Sequence, residues 1–253
     1  MTPRMKTWPY PKYIAHRGAG KIAPENTLAA FRVGASFGYR MFECDVKLSS
    51  DGVPFLLHDD TLVRTTNGRG VAGTMPWEAL SRLDCGAWHS RAYAGEALPT
   101  FDAIAAYCLA NHLMLNIELK PTEGGAAIER QTGEVVAARA QELWADTAIK
   151  PLLSSFKPES LAGAKKTAPK LPRGLLLDEL WCDWLETAID LKCVAVICNY
   201  KLWEAKTVAA VKAQGMRCLS YTVNEEKDVK RLFDLGTDGI ITNRIDLFAP
   251  ASA

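Results

Sequence analysis

The sequence carries almost no net charge. Thirty basic side chains face twenty-nine acidic ones, which leaves +1 over 253 residues. No global field draws such a chain to nucleic acid, so any anionic ligand must be held by local charges. Paired cysteines are also lacking. The seven cysteines are scattered, odd in number and free of any Cys-x-x-Cys pair, and several sit in apolar runs such as Cys193-Val194-Ala195-Val196-Ile197-Cys198. That argues against a disulfide framework or a zinc site and for buried, reduced thiols in a cytoplasmic protein. No apolar run approaches membrane-spanning length, and Met1–Tyr10 has no apolar signal core, so neither stable membrane insertion nor export is expected. No Gly-x-Gly-x-x-Gly follows an apolar run, since Gly18-Ala19-Gly20 lacks the third glycine; a dinucleotide fold gains little support. Ser154-Ser155 lacks the Gly-x-Ser-x-Gly setting of a hydrolase nucleophile. Histidine is scarce, at positions 16, 58, 89 and 112 only.

What is present is alternation. Short apolar runs read as strands at 13–15, 41–48, 113–120, 152–156, 174–177, 194–198, 217–223 and 239–242. Between most of them lie helical patterns, at about 24–37, 101–110, 126–144, 158 onward, 180–189, 203–214 and 225–235. Thr100 is placed to cap the second of these, and Gly38 to stop the first. Trp181 and Trp184, three apart, are expected to form a core-facing stripe on the fifth. Eight βα units in this length point to a (β/α)8 TIM barrel, an α/β fold, with residues 1–253 as one domain. Residues 53–57 read as a hairpin arm after the Asp51-Gly52 turn. The stretch from about 59 to 98 has little periodicity and reads as an insertion that carries function or covers a site.

In such a barrel, functional groups gather at the C-terminal ends of strands. The stretch 41–60 carries Glu43 and Asp45 one residue apart, then His58. Residues i and i+2 of a strand share a face, so the two carboxylates project together while Phe42, Cys44 and Val46 face away. Asn116, Glu118 and Lys120 alternate in the same way along the next strand. Ionised groups on an inward face are costly unless paired or metal-bound. Glu43, Asp45 and Glu118 therefore read as hard oxygen ligands for Mg²⁺ or Ca²⁺. Arg17 and Lys120 supply cations at the same rim and suit a phosphate, although Arg17 could instead pair with Glu25. His16 and His58 read as a general acid–base pair. His112 and His89 read as structural or loop residues.

Taken together, these segments resemble the glycerophosphodiester phosphodiesterase family. The likeness rests on His16-Arg17-Gly18 with Pro24-Glu25-Asn26-Thr27, on Phe42-Glu43-Cys44-Asp45-Val46 with Leu57-His58-Asp59, and on Arg64-Thr65-Thr66-Asn67-Gly68. It continues through Leu98-Pro99-Thr100, Asn116-Ile117-Glu118-Leu119-Lys120-Pro121, Tyr221-Thr222-Val223-Asn224 and Thr237 to Asn243. The resemblance implies a TIM barrel with an inserted segment. It implies hydrolysis of small glycerophosphodiesters, such as glycerophosphocholine or glycerophosphoethanolamine, to glycerol 3-phosphate and an alcohol. It also implies a divalent cation on Glu43, Asp45 and Glu118, acid–base chemistry by His16 and His58, and phosphate contacts from Arg17 and Lys120. Tyr221 stands where a tryptophan is usual and is a candidate pocket residue; Trp88, beside His89 in the inserted segment, is a second candidate. Asn243 stands where an aspartate is usual, and is expected to affect only the loop after the last strand. The competing readings are a lysophospholipase D-like enzyme, a metal-dependent aldolase or isomerase, and a non-catalytic phosphate-binding module.

Overall fold

A computed structural model describes residues 7–248; residues 1–6 and 249–253, which include most of the N-terminal stretch considered above, lie outside it. Nine strands form one sheet: β1 (Tyr13–Ala15), β2 (Met41–Leu48), β3 (Pro54–Leu56), β4 (Met114–Leu119), β5 (Leu152–Ser155), β6 (Arg173–Leu177), β7 (Ala195–Asn199), β8 (Arg217–Tyr221) and β9 (Gly239–Thr242). Their order is β1-β9-β8-β7-β6-β5-β4-β2-β3, and a further β1–β2 pairing closes eight of them into a parallel barrel. The chain is thus a (β/α)8 TIM barrel. β3 is the extra strand, antiparallel to β2, with Lys47 opposite Phe55.

Alternation along the strands separates two apolar layers. Phe42, Cys44 and Val46 of β2, with Leu115, Ile117 and Leu119 of β4, pack outward beneath the helices. Ile14, Met41, Leu152, Ile197, Leu219 and Ile241 fill the barrel interior. Glu43 and Asp45 share the parity of Met41, so they stand inside the barrel, above this apolar plug. Burying an apolar side chain is worth roughly 1.5–3 kcal/mol, and every residue of the plug adds to the force that holds this register.

α1 (Leu28–Ser36) packs around the barrel, the short α2 (Trp77–Leu80) lies in the inserted segment, and α3 (Phe101–Ala110), α4 (Ala126–Leu143), α5 (Pro158–Thr167), α6 (Trp184–Asp190), α7 (Ala205–Ala213) and α8 (Glu226–Asp234) continue around the barrel. The Thr100 cap is present, its hydroxyl oxygen accepting from the Ala103 amide at 3.1 Å. Two expectations are corrected. α1 begins at Leu28 rather than Pro24, because Thr27 is its cap and accepts from the Ala30 amide. α6 begins at Trp184, so Trp181 lies ahead of the helix and the two tryptophans form no helical stripe, although both pack against the core.

The inserted segment has its own small core of Leu57, Leu62, Ala72, Leu80, Cys85 and Leu98, to which Phe55 of β3 contributes. It is tied to the barrel rim by several polar contacts. The Glu96 carboxylate accepts from the Ala29 amide at 2.9 Å, the His89 ring meets the Lys21 carbonyl at 3.0 Å, and Lys47 pairs with Asp60. Among the described residues, no helix is long and apolar enough to cross a membrane.

Candidate active site

The C-terminal ends of β1, β2 and β4 meet at one side of the barrel mouth. Parallel pairing sets Glu43 beside Asn116 and Asp45 beside Glu118. Glu43, Asp45 and Glu118 are all buried, and one oxygen from each falls within 4.8 Å of the others. Two ionised carboxylates at that separation repel by about 3 kcal/mol at an effective dielectric of about 20, so three cannot stay charged without compensation. Two cations are at hand. Lys120 donates to Glu118 Oε1 at 2.9 Å and lies 3.6 Å from Asp45. Arg17 Nε lies 3.4 Å from Asp45, and the Arg17 backbone amide donates to Glu43 Oε2 at 3.0 Å.

These contacts divide the acids unequally. Burial raises the Glu43 carboxyl well above its ordinary range, and the charges of Asp45 and Glu118 push the same way. Glu118 rises too, through burial and Asp45, with Lys120 opposing. Asp45 is held low: burial alone would raise it, but Arg17, Lys120 and an amide bond from Asn26 outweigh that cost. Glu43 Oε1 and Asp45 Oδ1 are buried with no hydrogen-bond partner among the described residues. Unpaired oxygens in a crowded acidic cluster fit a hard divalent cation, and Glu43, Asp45 and Glu118 are the residues that would hold it.

The Pro24-Glu25-Asn26-Thr27 segment does more than lead into α1. Asn26, at φ +58°, donates its side-chain amide to Asp45 Oδ2 at 2.8 Å, while its oxygen accepts from the Asp45 backbone amide at 3.2 Å. Glu25 accepts from Arg17 at 2.8 Å and from Arg64 of the insertion through both oxygens. Asn26→Gly keeps the backbone conformation available but removes both side-chain bonds to Asp45. Partners of metal-binding carboxylates typically matter 10–100-fold in metal affinity, so we expect roughly that loss for this variant by calorimetric titration. Unchanged affinity would show that Asn26 plays no part in orienting Asp45.

The two histidines flank the acids. The β2–β3 hairpin turns at Asp51-Gly52, with Gly52 at φ +81°, and the Leu57 amide donates to the Asp45 carbonyl. His58 is therefore carried back alongside the carboxylates. Its Nδ1 lies 2.7 Å from Asp59 Oδ1, and Asp59 in turn accepts from Arg64. His16 Nε2 lies 3.7 Å from Glu43, and its Nδ1 lies 2.7 Å from Asn243 Oδ1. Burial and the neighbouring Arg17 charge lower His16 to about 4, which leaves the ring neutral near pH 7. Burial also lowers His58, and the Asp45 charge opposes it. Asn243 is thus not confined to the last loop, as the sequence suggested; barrel closure brings it against His16.

His16, Arg17, Glu43, His58, Glu118, Lys120 and Tyr221 line one cavity of about 150 Å3, and Asp45 lies beneath it. Phe156, Leu176 and Ile241 form its apolar wall. Tyr221 packs edge-on against Phe156 at 5.6 Å and donates its hydroxyl to the Leu177 carbonyl at 3.0 Å. Trp88 does not line this cavity: it stands in the insertion, 40% exposed, donating to the Cys85 carbonyl. Asn116 does line it, fully buried, with both amide atoms lacking a partner. Its place in the polar row of β4 was a visible signal, but no role had been attached to it. A second groove of about 400 Å3 shares His58, Glu118, Lys120 and Phe156 with the cavity.

The chain is similar to known proteins over most of its length. Residues 16–247 match the model of the glycerophosphoryl diester phosphodiesterase family. A glycerophosphodiester phosphodiesterase of Caldanaerobacter subterraneus is 32% identical over 230 residues, which span 91% of this chain and 93% of that protein. One from Bacillus subtilis is 29% identical over 93% of this chain and 84% of its own length. Among solved structures, an Oleispira antarctica phosphodiesterase in complex with the product sn-glycerol-3-phosphate superposes with a TM-score of 0.84, at 32% identity, covering 92% of this chain and 93% of that one. The chain belongs to the glycerophosphoryl diester phosphodiesterase family.

Proposed function

We propose that the protein hydrolyses small glycerophosphodiesters, such as glycerophosphocholine and glycerophosphoethanolamine, to glycerol 3-phosphate and an alcohol. The observation that carries this reading is the convergence of three acids, two cations and two histidines around one cavity of about 150 Å3. That volume suits a glycerol phosphate moiety, and the Oleispira antarctica relative was solved with that product.

Arg17 and Lys120 bind the phosphate oxygens. His16 accepts the proton of the nucleophile, which is water or the substrate's own glycerol hydroxyl; in the second case this step yields a cyclic phosphate, which water then opens to glycerol 3-phosphate. As the new O–P bond forms, the bond from phosphorus to the leaving oxygen breaks, and His58 delivers a proton to that oxygen. A divalent cation held by Glu43, Asp45 and Glu118, either Mg²⁺ or Ca²⁺, would neutralise charge on a non-bridging oxygen in the transition state. The neutral state of His16 supports its role as base. Burial lowers His58, but the hydrogen bond from its Nδ1 to the Asp59 carboxylate opposes that lowering and so favours the protonated form that can donate.

The groove beside His58 is where the leaving alcohol would lie. Lys47, Asp59, Asp60, Glu123 and Lys157 line it together with Leu119, Pro121 and Phe156, so both a polar head group and an apolar chain find partners there, and the assay below separates the two readings. All seven cysteines are unpaired, which supports a reducing, cytoplasmic setting.

The deciding experiment is a panel of glycerophosphodiesters assayed for released glycerol 3-phosphate, with and without divalent metal. Metal-dependent release from at least one small head-group diester is expected. No release from any member, or turnover only of lysophospholipids, would overturn the proposal.

A further inference from the structure

His16 gives no sequence hint of what holds its ring, yet that ring must be held if it is to act as a base. The structure assigns Asn243 as the positioning residue of His16, a role that rests on the reaction proposed above. Asn243 follows the last strand of the barrel, and its Oδ1 lies 2.7 Å from His16 Nδ1. An amide oxygen only accepts. Nδ1 therefore carries the ring proton, and Nε2 presents a lone pair on the Glu43 side of the ring, toward the cavity.

Asn243 is itself fixed from three directions. Its backbone amide donates to Asn224 Oδ1 at 2.9 Å, in the loop between β8 and α8. The preceding Thr242 carbonyl accepts from the His16 amide at 3.0 Å, so the two residues are also tied through the backbone. Gly20 presses against it from the loop after β1. A Cβ on residue 20 would lie 2.2 Å from the Asn243 carbonyl oxygen and 2.4 Å from its Cα, and Gly20 also sits at φ +61°. Only glycine leaves room there for the Asn243 backbone. Gly20, Asn224 and Asn243 thus serve one end, the orientation of a single imidazole. Asn243 touches none of the three clustered carboxylates through its side-chain hydrogen bond, so its contribution is separable from metal binding. An amide in this position orients the ring without adding a fourth negative charge to a cluster that already holds three carboxylates.

The test compares Asn243→Leu, which keeps the volume but cannot accept a hydrogen bond, with Asn243→Asp, which can. Misplacement of a reacting group by about 1 Å can cost on the order of 100-fold, so Asn243→Leu is expected to lose kcat on that scale. Its KM and its metal midpoint should be unchanged, and Asn243→Asp should recover most of the parent's kcat. Parent-like turnover in Asn243→Leu, or equal damage in both variants, would overturn the assignment. Nitrogen-15 NMR of the unsubstituted protein supplies a readout that needs no variant activity. The His16 signal, identified by its disappearance in His16→Ala, should show a protonated Nδ1 and a bare Nε2. The opposite tautomer overturns the assignment even if Asn243→Leu fails to fold. If the parent turns over no glycerophosphodiester, the proposed reaction fails, while the tautomer still decides whether Asn243 holds the ring.

Discussion

Stripped of divalent metal, the protein should lose hydrolysis of glycerophosphocholine by at least about 10³-fold, since Lewis-acid stabilisation is worth several kcal/mol and each 1.36 kcal/mol is tenfold. Addition of Mg²⁺ or Ca²⁺ should restore it, and Asp45→Asn should not be restored by either. The expectation follows from charge. Among the described residues, Arg17 and Lys120 are the two permanent cations against the three clustered carboxylates, so a divalent ion turns a net negative site into one that attracts a phosphodiester. Hydrolysis that survives a strong chelator would remove the metal from the mechanism.

The same loss should be visible in stability, with a defined sign. Glu43 and Glu118 have folded-state values above the ordinary 4.5, so the metal-free folded protein holds protons that the unfolded chain has released. Stability then falls as pH rises from about 4.5 through the raised values. Asp45 behaves oppositely: its value lies below the ordinary 3.8, so the stability it contributes is lost only in strong acid. His16 and His58, both lowered, act the other way up to about pH 6.5, because the unfolded chain still protonates them there. The glutamates' contribution is therefore read as a difference: as pH rises above 4.5, the metal-free Tm of the parent should fall relative to that of Glu43→Gln, and bound metal should flatten the parent's share of that fall. A parent-minus-variant Tm difference that does not change with pH would contradict the placement of the raised carboxyls.

His16→Ala and His58→Ala should each lower kcat by about 10²–10⁴-fold on glycerophosphocholine while the protein stays folded. The two differ in what rescues them. A p-nitrophenyl leaving group departs without a proton, so a substrate carrying it has no need of a general acid. On the p-nitrophenyl diester of glycerol phosphate, His58→Ala should regain most of the parent's rate, whereas His16→Ala should remain impaired because its nucleophile still needs a base. The reverse pattern would exchange the two roles. Equal rescue of both would deny either histidine a role in proton transfer.

Much of this architecture was legible in the sequence, because its signals are local and periodic. The strand period of two placed Glu43 and Asp45 on one face, and Asn116, Glu118 and Lys120 on another, with Cys44 and Ile117 turned into the outer layer. The alternation of strands and helices implied a barrel, and the Asp51-Gly52 turn implied the arm that carries His58. Element ends were less legible. α1 starts at Leu28 because Thr27 caps it, a competition between side-chain and backbone bonding that composition alone does not resolve.

What tertiary structure alone decided lies where contacts join distant parts of the chain. Barrel closure through β1 and β9 brings Asn243 within 2.7 Å of a histidine 227 residues away. Glu25 links Arg17 to Arg64 of the insertion, and Asn26 grips Asp45 across 19 residues. Trp88, which the sequence offered as a pocket residue, is turned into the insertion instead. Periodicity records which face a residue takes within its own element. It carries no record of which element will lie opposite, because that depends on how the whole sheet twists, pairs and closes. The residue types needed for phosphodiester chemistry were therefore determined by the sequence, and the partners that orient them were determined by the closure of the barrel.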